Sequence, residues 1–460
     1  MPTITFDRFD GGLDLRQLTT NADMNRLRVL KNAYITTGRS IRKRAGLKRI
    51  AELTPSSKGL VAGMNQLWTF STIPLSHGNT LIGNKTIDDP TGTGIDTIEH
   101  VEIFNNFFYL CAKYDNGVTK HHYLDGAAST LVTDANCPHT PTIAKKASKI
   151  FSIQDNVVRF SATNNARDWS ATQDAGFLPV NIQQTGASYP TALGEYQSNL
   201  VVFFPDSAQV WIVDPDPKLH AFANSTPIGT PFAHSHANMG SDIYFLSPAG
   251  FRSVSVQANS ANLMDMDVGS PIDLIVKPLI KSGIKPRSVY FRGGGQLFCF
   301  VGSDIYTYTF SRAAKVSAWA IWTLPVTVDA VAELNGVMYI RSGDVVYALD
   351  DEAFTDDGVP IDVDIELPYA DCKMIGVFKQ FIAADVACTG SPSISYRYNP
   401  RSPDLITQPM TFKGDTRSLA RMPIEVCATN IAVRMTHSAV ESFELAAVSL
   451  TFNPMSDFSN

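Results

Sequence analysis

The stretch NGVMYIRSGDVVYAL, residues 335 to 349, contains a small turn at Asn335 and Gly336, a hydrophobic run over 337–340, a second turn around Gly343 and a second hydrophobic run over 345–349. Turn residues alternating with β-branched and aromatic runs describe an antiparallel meander. Its first half recurs as NQLWTF at Asn65, NNFFYL at Asn105, DNVVRF at Asp155, QSNLVVFF at Gln197, GSDIYFL at Gly240 and GGQLFCF at Gly294, at intervals of 40, 50, 42, 43, 54 and, to Asn335, 41 residues. The second half recurs in SPAGFRSVSV and GSDIYTYTF. A meander repeated every ~40 to 50 residues is the signature of a β-propeller blade. The spacing predicts an all-β protein with a β-propeller of six or seven blades over 56–352. A stack of unrelated sandwiches would not require such even intervals.

The texture changes on both sides of the repeats. After the acidic connector DDEAFTDDG, the run VPIDVDIELP alternates Ile361, Val363, Ile365 and Leu367 with Asp362, Asp364 and Glu366, the period of a strand with one wet face. Further strands in SISYRYNP, IEVCATNIAVRMTH and FELAAVSLTF make 353–460 a β-sandwich platform, and 1–55 is expected to join it, since chain ends often meet in space. NADMNRLRVLKNA (21–33) is the one helix candidate, with Met24, Leu27 and Leu30 on a face behind an Asn21 cap. The segments 75–96 and 214–231, rich in Gly, Thr, Asn, Asp and Pro, look like insertions into the blade framework.

Charge excludes a nucleic-acid coat. Residues 36 to 50, TTGRSIRKRAGLKRI, hold six positive charges: Arg39, Arg42, Lys43, Arg44, Lys48 and Arg49. Removing these from the 38 Lys and Arg leaves 32 against 44 Asp and Glu, so the rest of the chain sums to −12. Such a surface repels a polyanion. No apolar run reaches the ~20 residues of a membrane span, and MPTITFDRFDGG is too polar for a secretory core, so membrane insertion is not expected. The six cysteines are scattered without a C-x-x-C pair, which suits reduced thiols and cytosolic synthesis.

Motifs for catalysis are weak. GNTLIGNKT nearly spells a phosphate-binding loop, but Asn84 separates Gly83 from Lys85 and no parallel strand or helix flanks it. His234 and His236 would share a strand face as metal ligands do, yet no third ligand is near in sequence, and hydrogen-bonded or surface histidines are expected. Asp265, Asp267 and Asp273 lack a fixed separation and read as solvated carboxylates, while Trp169 and Trp322 read as packing residues. No cofactor, metal or catalytic residue is expected.

The N-terminal run FDGGLDLR…LKNAYITTGRSIRKRAGLKRI is similar to the opening of the tail hub or nozzle proteins of short-tailed bacteriophages, the tail tubular protein B or phage stabilisation family. Phe9, Gly11, Gly12, Leu13, Asn32, Gly38, Lys43, Arg44 and Gly46 match the pattern, and Ala45 stands where the family usually has Pro. VVRFSATNNARDWSA, YFLSPAGFRSVS and the closing RMPIEVCATNIAVRMTHSAVESFELAAVSLTF resemble later elements of it. The resemblance implies a propeller plus platform, without enzymatic activity, made in the host bacterial cytoplasm and placed in the virion tail. Six copies would form a ring below the portal and its adaptor, pass genomic DNA through the lumen without specific binding, and dock fibres, spikes or a needle. A carbohydrate-binding or carbohydrate-active propeller of the tail is the alternative.

Within that reading, 32–44 is expected to form a hairpin turning at Thr37, Gly38 and Arg39, with Arg42 and Arg44 projecting from one face of the returning strand. Its cations are either a solvated edge that discourages strand pairing or an assembly interface toward a neighbouring subunit or the adaptor. A protein contact is preferred to a DNA contact, because the charges are confined to one short element of an acidic chain.

Overall fold

The computed structural model describes residues 1–16, 23–170, 174–184, 186, 188–255, 268–414 and 421–455. Two-residue hairpin loops organise it. The residue pairs Met64–Asn65, Asn105–Asn106, Ala147–Ser148, Gln197–Ser198 and Asn335–Gly336 all have positive φ at both positions. That backbone matches the right-handed twist of the strands it joins, which is why Asn and Gly favour such turns. Each turn links the first and second strands of a small antiparallel sheet.

Seven blade sheets are present among the described residues, the sixth as the propeller end of a larger sheet. Their first strands are Lys58–Gly63, Ile95–Phe104, Ile143–Lys146, Ala192–Tyr196, Ala237–Met239, Arg287–Phe291 and Ala330–Leu334. Neighbouring first strands touch in chain order from the first to the sixth and the seventh touches the first, while the Arg292 N–H donates to Glu333 between the sixth and seventh, so the sheets surround one channel. The fold is a seven-bladed β-propeller. The seventh blade is completed by Gly46–Glu52, which pairs antiparallel with Val345–Asp350 from Val345 opposite Glu52 to Asp350 opposite Gly46. This strand therefore belongs to the propeller, although the sequence reading places 1–55 with the platform.

Three other expectations are corrected. The candidate helix is a string of short strands, Arg26–Leu27, Val29–Lys31 and Ala33–Ile35, while its proposed cap Asn21 lies outside the described residues. The segment 75–96 supplies a blade strand, Ile82–Thr86, parallel to Gln66–Ser71. The segment 214–231 supplies Ala221–Thr226, the fourth strand of the fourth blade.

The platform is a sandwich of two sheets. One contains Met422–Ala428, Lys379–Thr389, Glu444–Pro454, Ile41–Lys43 and Ala33–Ile35, with Thr3–Phe6 added on Glu444–Pro454. The other runs from Val29–Lys31 through Val363–Glu366, Ala432–His437 and Ser393–Arg397 to Met410–Thr411. Between them are buried Phe6, Ile365, Phe381, Val433, Val448 and Leu450. Each such side chain contributes about 1.5–3 kcal/mol by leaving water. The second sheet is continuous with blade six, because Lys31 pairs with Ile321 and Gly12 with Trp319 along the outer strand Val316–Thr323. Propeller and platform thus share one hydrogen-bonded sheet and one apolar core.

Candidate functional site

Of the residues that carry the family resemblance, Phe9, Gly12, Leu13, Asn32, Arg44 and Gly46 converge on the joint between propeller and platform. Phe9 and Leu13 are buried in the shared core. Gly12 has φ +58°, and a Cβ there would stand 2.7 Å from Ala318 Cβ. Only glycine lets the N-terminal strand lie this close to blade six. Beneath it Trp319 packs on Phe251 and Tyr308, with ring centroids 4.7 and 4.8 Å away. Gly46 is held against the Ala353 and Thr355 carbonyl oxygens, which a Cβ would approach to 2.5 and 2.3 Å.

Arg44 is the centre of the joint. Its guanidinium grips the Asp356 carboxylate through Nη1 and Nη2 at 2.8 and 2.5 Å, and donates to Asn32 Oδ1 (3.0 Å), Ala45 O (2.9 Å) and Thr323 O (2.9 Å). All five donor positions are occupied, the condition under which a buried arginine is tolerated. Asn32, at φ 54°, accepts the Thr323 N–H at 2.8 Å and donates to Asp362 O at 2.8 Å. A second buried carboxylate, Glu366, accepts from Arg28 (2.7 Å) and Arg397 (2.8 Å), tying the N-terminal segment to the C-terminal strands. Asp14 is a third: burial pushes its carboxyl up, but hydrogen bonds from Arg16 and the charge of Arg26 hold it below the usual range.

The hairpin turns as expected, with Ile35 opposite Ile41 and the Arg39 N–H donating to Thr36 O. Its cations are placed differently from the expectation that Arg42 and Arg44 project together. Arg44 is 1 % exposed. Lys43 is also buried, donates to Ala439 O at 2.9 Å, and is pushed down to about 8 by burial and the nearby Arg44 charge. Arg39 reaches Ala314 O on blade six at 3.0 and 3.1 Å. Arg42 faces Glu444 across the strands at 2.9 Å, Lys48 lies 3.4 Å from Asp350, and Arg49 lies 2.8 Å from Glu52. Only Arg42, Lys48 and Arg49, at 55, 63 and 45 % side-chain exposure, present charge outward. The sequence reading missed Asp356, and it matched Asn32 to the family pattern without giving it a role. The available signal was the acidic connector, whose charge complements the basic stretch.

The second polar site is the channel. It opens into a cavity of about 720 Å³ bordered by His100, Glu102, Lys145, Glu195, His236 and Glu333. His100 and His234 meet edge to face at 5.8 Å, and His234 Nε2 lies 3.6 Å from a Glu99 oxygen. Although the His234 side chain keeps 20 % exposure, Glu99, His100 and Arg287 crowd around it. Confinement acts accordingly: burial pushes His236 down to about 4, His100 well below its ordinary range, and Glu102 up to about 7 against the pull of Lys145. At neutral pH these histidines are uncharged, and the lining mixes both signs.

Other flagged residues serve packing or local pairing. Ile82–Thr86 is a strand on which Lys85 lies 4.3 Å from the Trp68 ring centroid. Trp169 and Trp322 are buried, donating to Ala166 O and Ala33 O. Asp273 opens the helix Asp273–Lys281 and pairs with Lys277 at 3.0 Å and Arg252 at 3.4 Å, while Asp265 and Asp267 lie outside the described residues.

The topology defines the class, a seven-bladed β-propeller carrying a β-sandwich platform. No protein-family model matches the chain, and no curated protein does. Among solved structures it is similar to the Pan2 WD40 domain of Neurospora crassa, at 10% identity and TM-score 0.38 over 68% of this chain and 95% of that one. BamB from Moraxella catarrhalis aligns at 8% identity and TM-score 0.37 over 66% of this chain and 98% of that one.

Proposed function

We propose that this chain is a structural virion protein, the tail nozzle or hub of a short-tailed bacteriophage, acting as one subunit of a six-membered ring below the portal and adaptor. The observation that carries the reading is the coincidence of motif and joint: Gly12, Asn32, Arg44 and Gly46, which match the family pattern, are the residues that weld platform to propeller. A subunit of a conduit must transmit load without bending between its parts, and a shared sheet with buried ion pairs suits that task. The acidic balance suits it as well, since 44 Asp and Glu against 38 Lys and Arg repel passing phosphates. Arg42, Lys48 and Arg49 remain as contacts toward a neighbouring subunit or the adaptor. Electron microscopy of the purified chain, alone and on a portal–adaptor assembly, tests the proposal. A six-fold ring in either sample is expected, and a monomer in both would overturn it.

A carbohydrate-binding propeller of the tail is the second reading, and the channel favours it. Neutral histidines and carboxylates around a cavity of about 720 Å³ offer donors and acceptors to sugar hydroxyls. Binding on a glycan array that disappears in His236→Ala would support it. A blank array would leave the nozzle reading alone.

A further inference from the structure

We propose that His121, Cys137 and His139 form a binding site for a zinc-like divalent metal ion that clamps blade two to the connection entering blade three. Outside the joint and channel, these three residues bring one sulfur and two imidazole donors within 4.8 Å of one another. His121 lies in the strand Thr119–Tyr123, and Cys137 and His139 lie in the chain that leads to Ile143–Lys146. Their separation in sequence gives no recognisable ligand spacing; packing brings them together.

The geometry is that of a metal site in several respects. Zn–S near 2.3 Å and Zn–N near 2.0 Å at a tetrahedral angle set sulfur and nitrogen about 3.6 Å apart. Cys137 Sγ lies 3.3 Å from His121 Nδ1 and 3.7 Å from His139 Nδ1. His121 Nε2 lies 2.7 Å from the Thr140 carbonyl oxygen, so it carries the proton and leaves Nδ1 with a lone pair, between the Tyr109 hydroxyl at 2.9 Å and the Cys137 sulfur at 3.3 Å. A ring nitrogen fixed by a backbone carbonyl is the usual support of a metal-bound histidine. His139 takes φ 53°, a left-handed backbone disfavoured outside glycine, and its Nδ1 faces Cys137 Sγ while accepting the His121 backbone N–H at 3.2 Å. The Tyr109 hydroxyl, 2.9 Å from His121 Nδ1 and 3.9 Å from Cys137 Sγ, is the oxygen beside the remaining coordination position.

One thiolate and two imidazoles select zinc or a similar borderline-soft ion over magnesium or calcium. On binding, the Cys137 thiol loses its proton to solvent and the sulfur forms the metal bond. The clamp would extend into blade three, because Thr140 Oγ1 lies 2.8 Å from Ser152 Oγ and donates to Ile153 O at 2.8 Å.

The test uses the full chain and two ions, Zn²⁺ and Co²⁺. Purified protein grown with zinc is expected to retain about one ion per chain. Cobalt exchange should give the absorption of a tetrahedral ion with a thiolate charge-transfer band. That band should vanish in Cys137→Ser and persist in Cys427→Ser, a change at an exposed cysteine away from the cluster. Zinc should raise the melting temperature of the wild type and leave that of Cys137→Ser unmoved. Wild-type protein that takes up neither ion, or a charge-transfer band that survives in Cys137→Ser, overturns the proposal. If Cys137→Ser does not fold, His139→Gln replaces it: a weakened tetrahedral spectrum supports the site, and an unchanged one refutes it.

Discussion

Arg44 and Asp356, 312 residues apart in sequence, form a two-pronged ion pair with 1 and 4 % side-chain exposure, and through it the first hairpin is fastened to the connector between propeller and platform. Asp356 Oδ1 also accepts the Leu47 N–H at 3.1 Å, so the same carboxylate fixes the start of the strand that completes the seventh blade.

Removing one member should therefore be severe. Arg44→Met and Asp356→Leu are each expected to cost about 3–5 kcal/mol, because the remaining charge stays buried without its partner. Arg44→Lys should be poorly tolerated as well, since an ammonium cannot reproduce five donors in a fixed fork. Urea denaturation measures the loss. The double variant Arg44→Met/Asp356→Leu should be more stable than either single change, and additive losses would contradict a coupled pair.

Two glycines separate backbone preference from close approach. Gly240 has φ 68° with open space around it, so Gly240→Ala should cost only about 1–2 kcal/mol. Gly12→Ala adds a collision with Ala318 and Trp319 to the same backbone cost and should be clearly worse. Equal losses in thermal melts would show that the N-terminal strand can lift from blade six without penalty.

The three exposed cations should separate stability from assembly. Their partners Glu444, Asp350 and Glu52 form surface pairs of the kind worth about 0–1 kcal/mol, so Arg42→Glu, Lys48→Glu and Arg49→Glu should barely alter unfolding. If these residues face a neighbour, the triple reversal should weaken ring formation on a portal–adaptor template, read by sedimentation and microscopy. Unchanged rings with altered DNA retention would assign them to DNA instead.

The channel gives stability two opposing dependences on pH. His236 has a folded pKa near 4, below its ordinary 6.5, so its contribution is present above pH 6.5 and is lost as pH falls through about 4. Glu102, raised from 4.5 to about 7, contributes fully below pH 4.5 and loses that contribution as pH rises through about 7. Glu102→Gln should remove the alkaline loss and leave the acid limb intact in melts recorded between these limits. A variant with the wild-type profile would dissociate Glu102 from the effect.

The repeat was legible in the sequence wherever its turn carried Asn, Asp or Gly, as at Asn65, Asn105 and Asn335. In the third blade the equivalent turn is Ala147–Ser148, which adopts the same backbone without the usual residues, so the eye settles on the next turn at Asp155. The false helix has a physical origin too. Leu27 and Leu30 are buried three residues apart because the chain bends between two very short strands, which imitates a helical period. The joint was visible only as a resemblance and an excess of charge. Which cations are buried depends on Thr323, Asp356 and Ala439, remote in sequence and placed by the sheets.

The pairing of Gly46–Glu52 with Val345–Asp350 also governs how the chain can emerge from a ribosome. Gly46–Glu52 is synthesised before any blade, yet its partner strand leaves last of the propeller, so nearly the whole ring must be translated while this edge waits unpaired. An idle strand edge invites pairing with other nascent chains, and charged side chains on it are the usual deterrent. Lys48 and Arg49 sit on that edge. Charge at these two positions is placed where it would deter premature association, and once the seventh blade closes they become part of its outer rim.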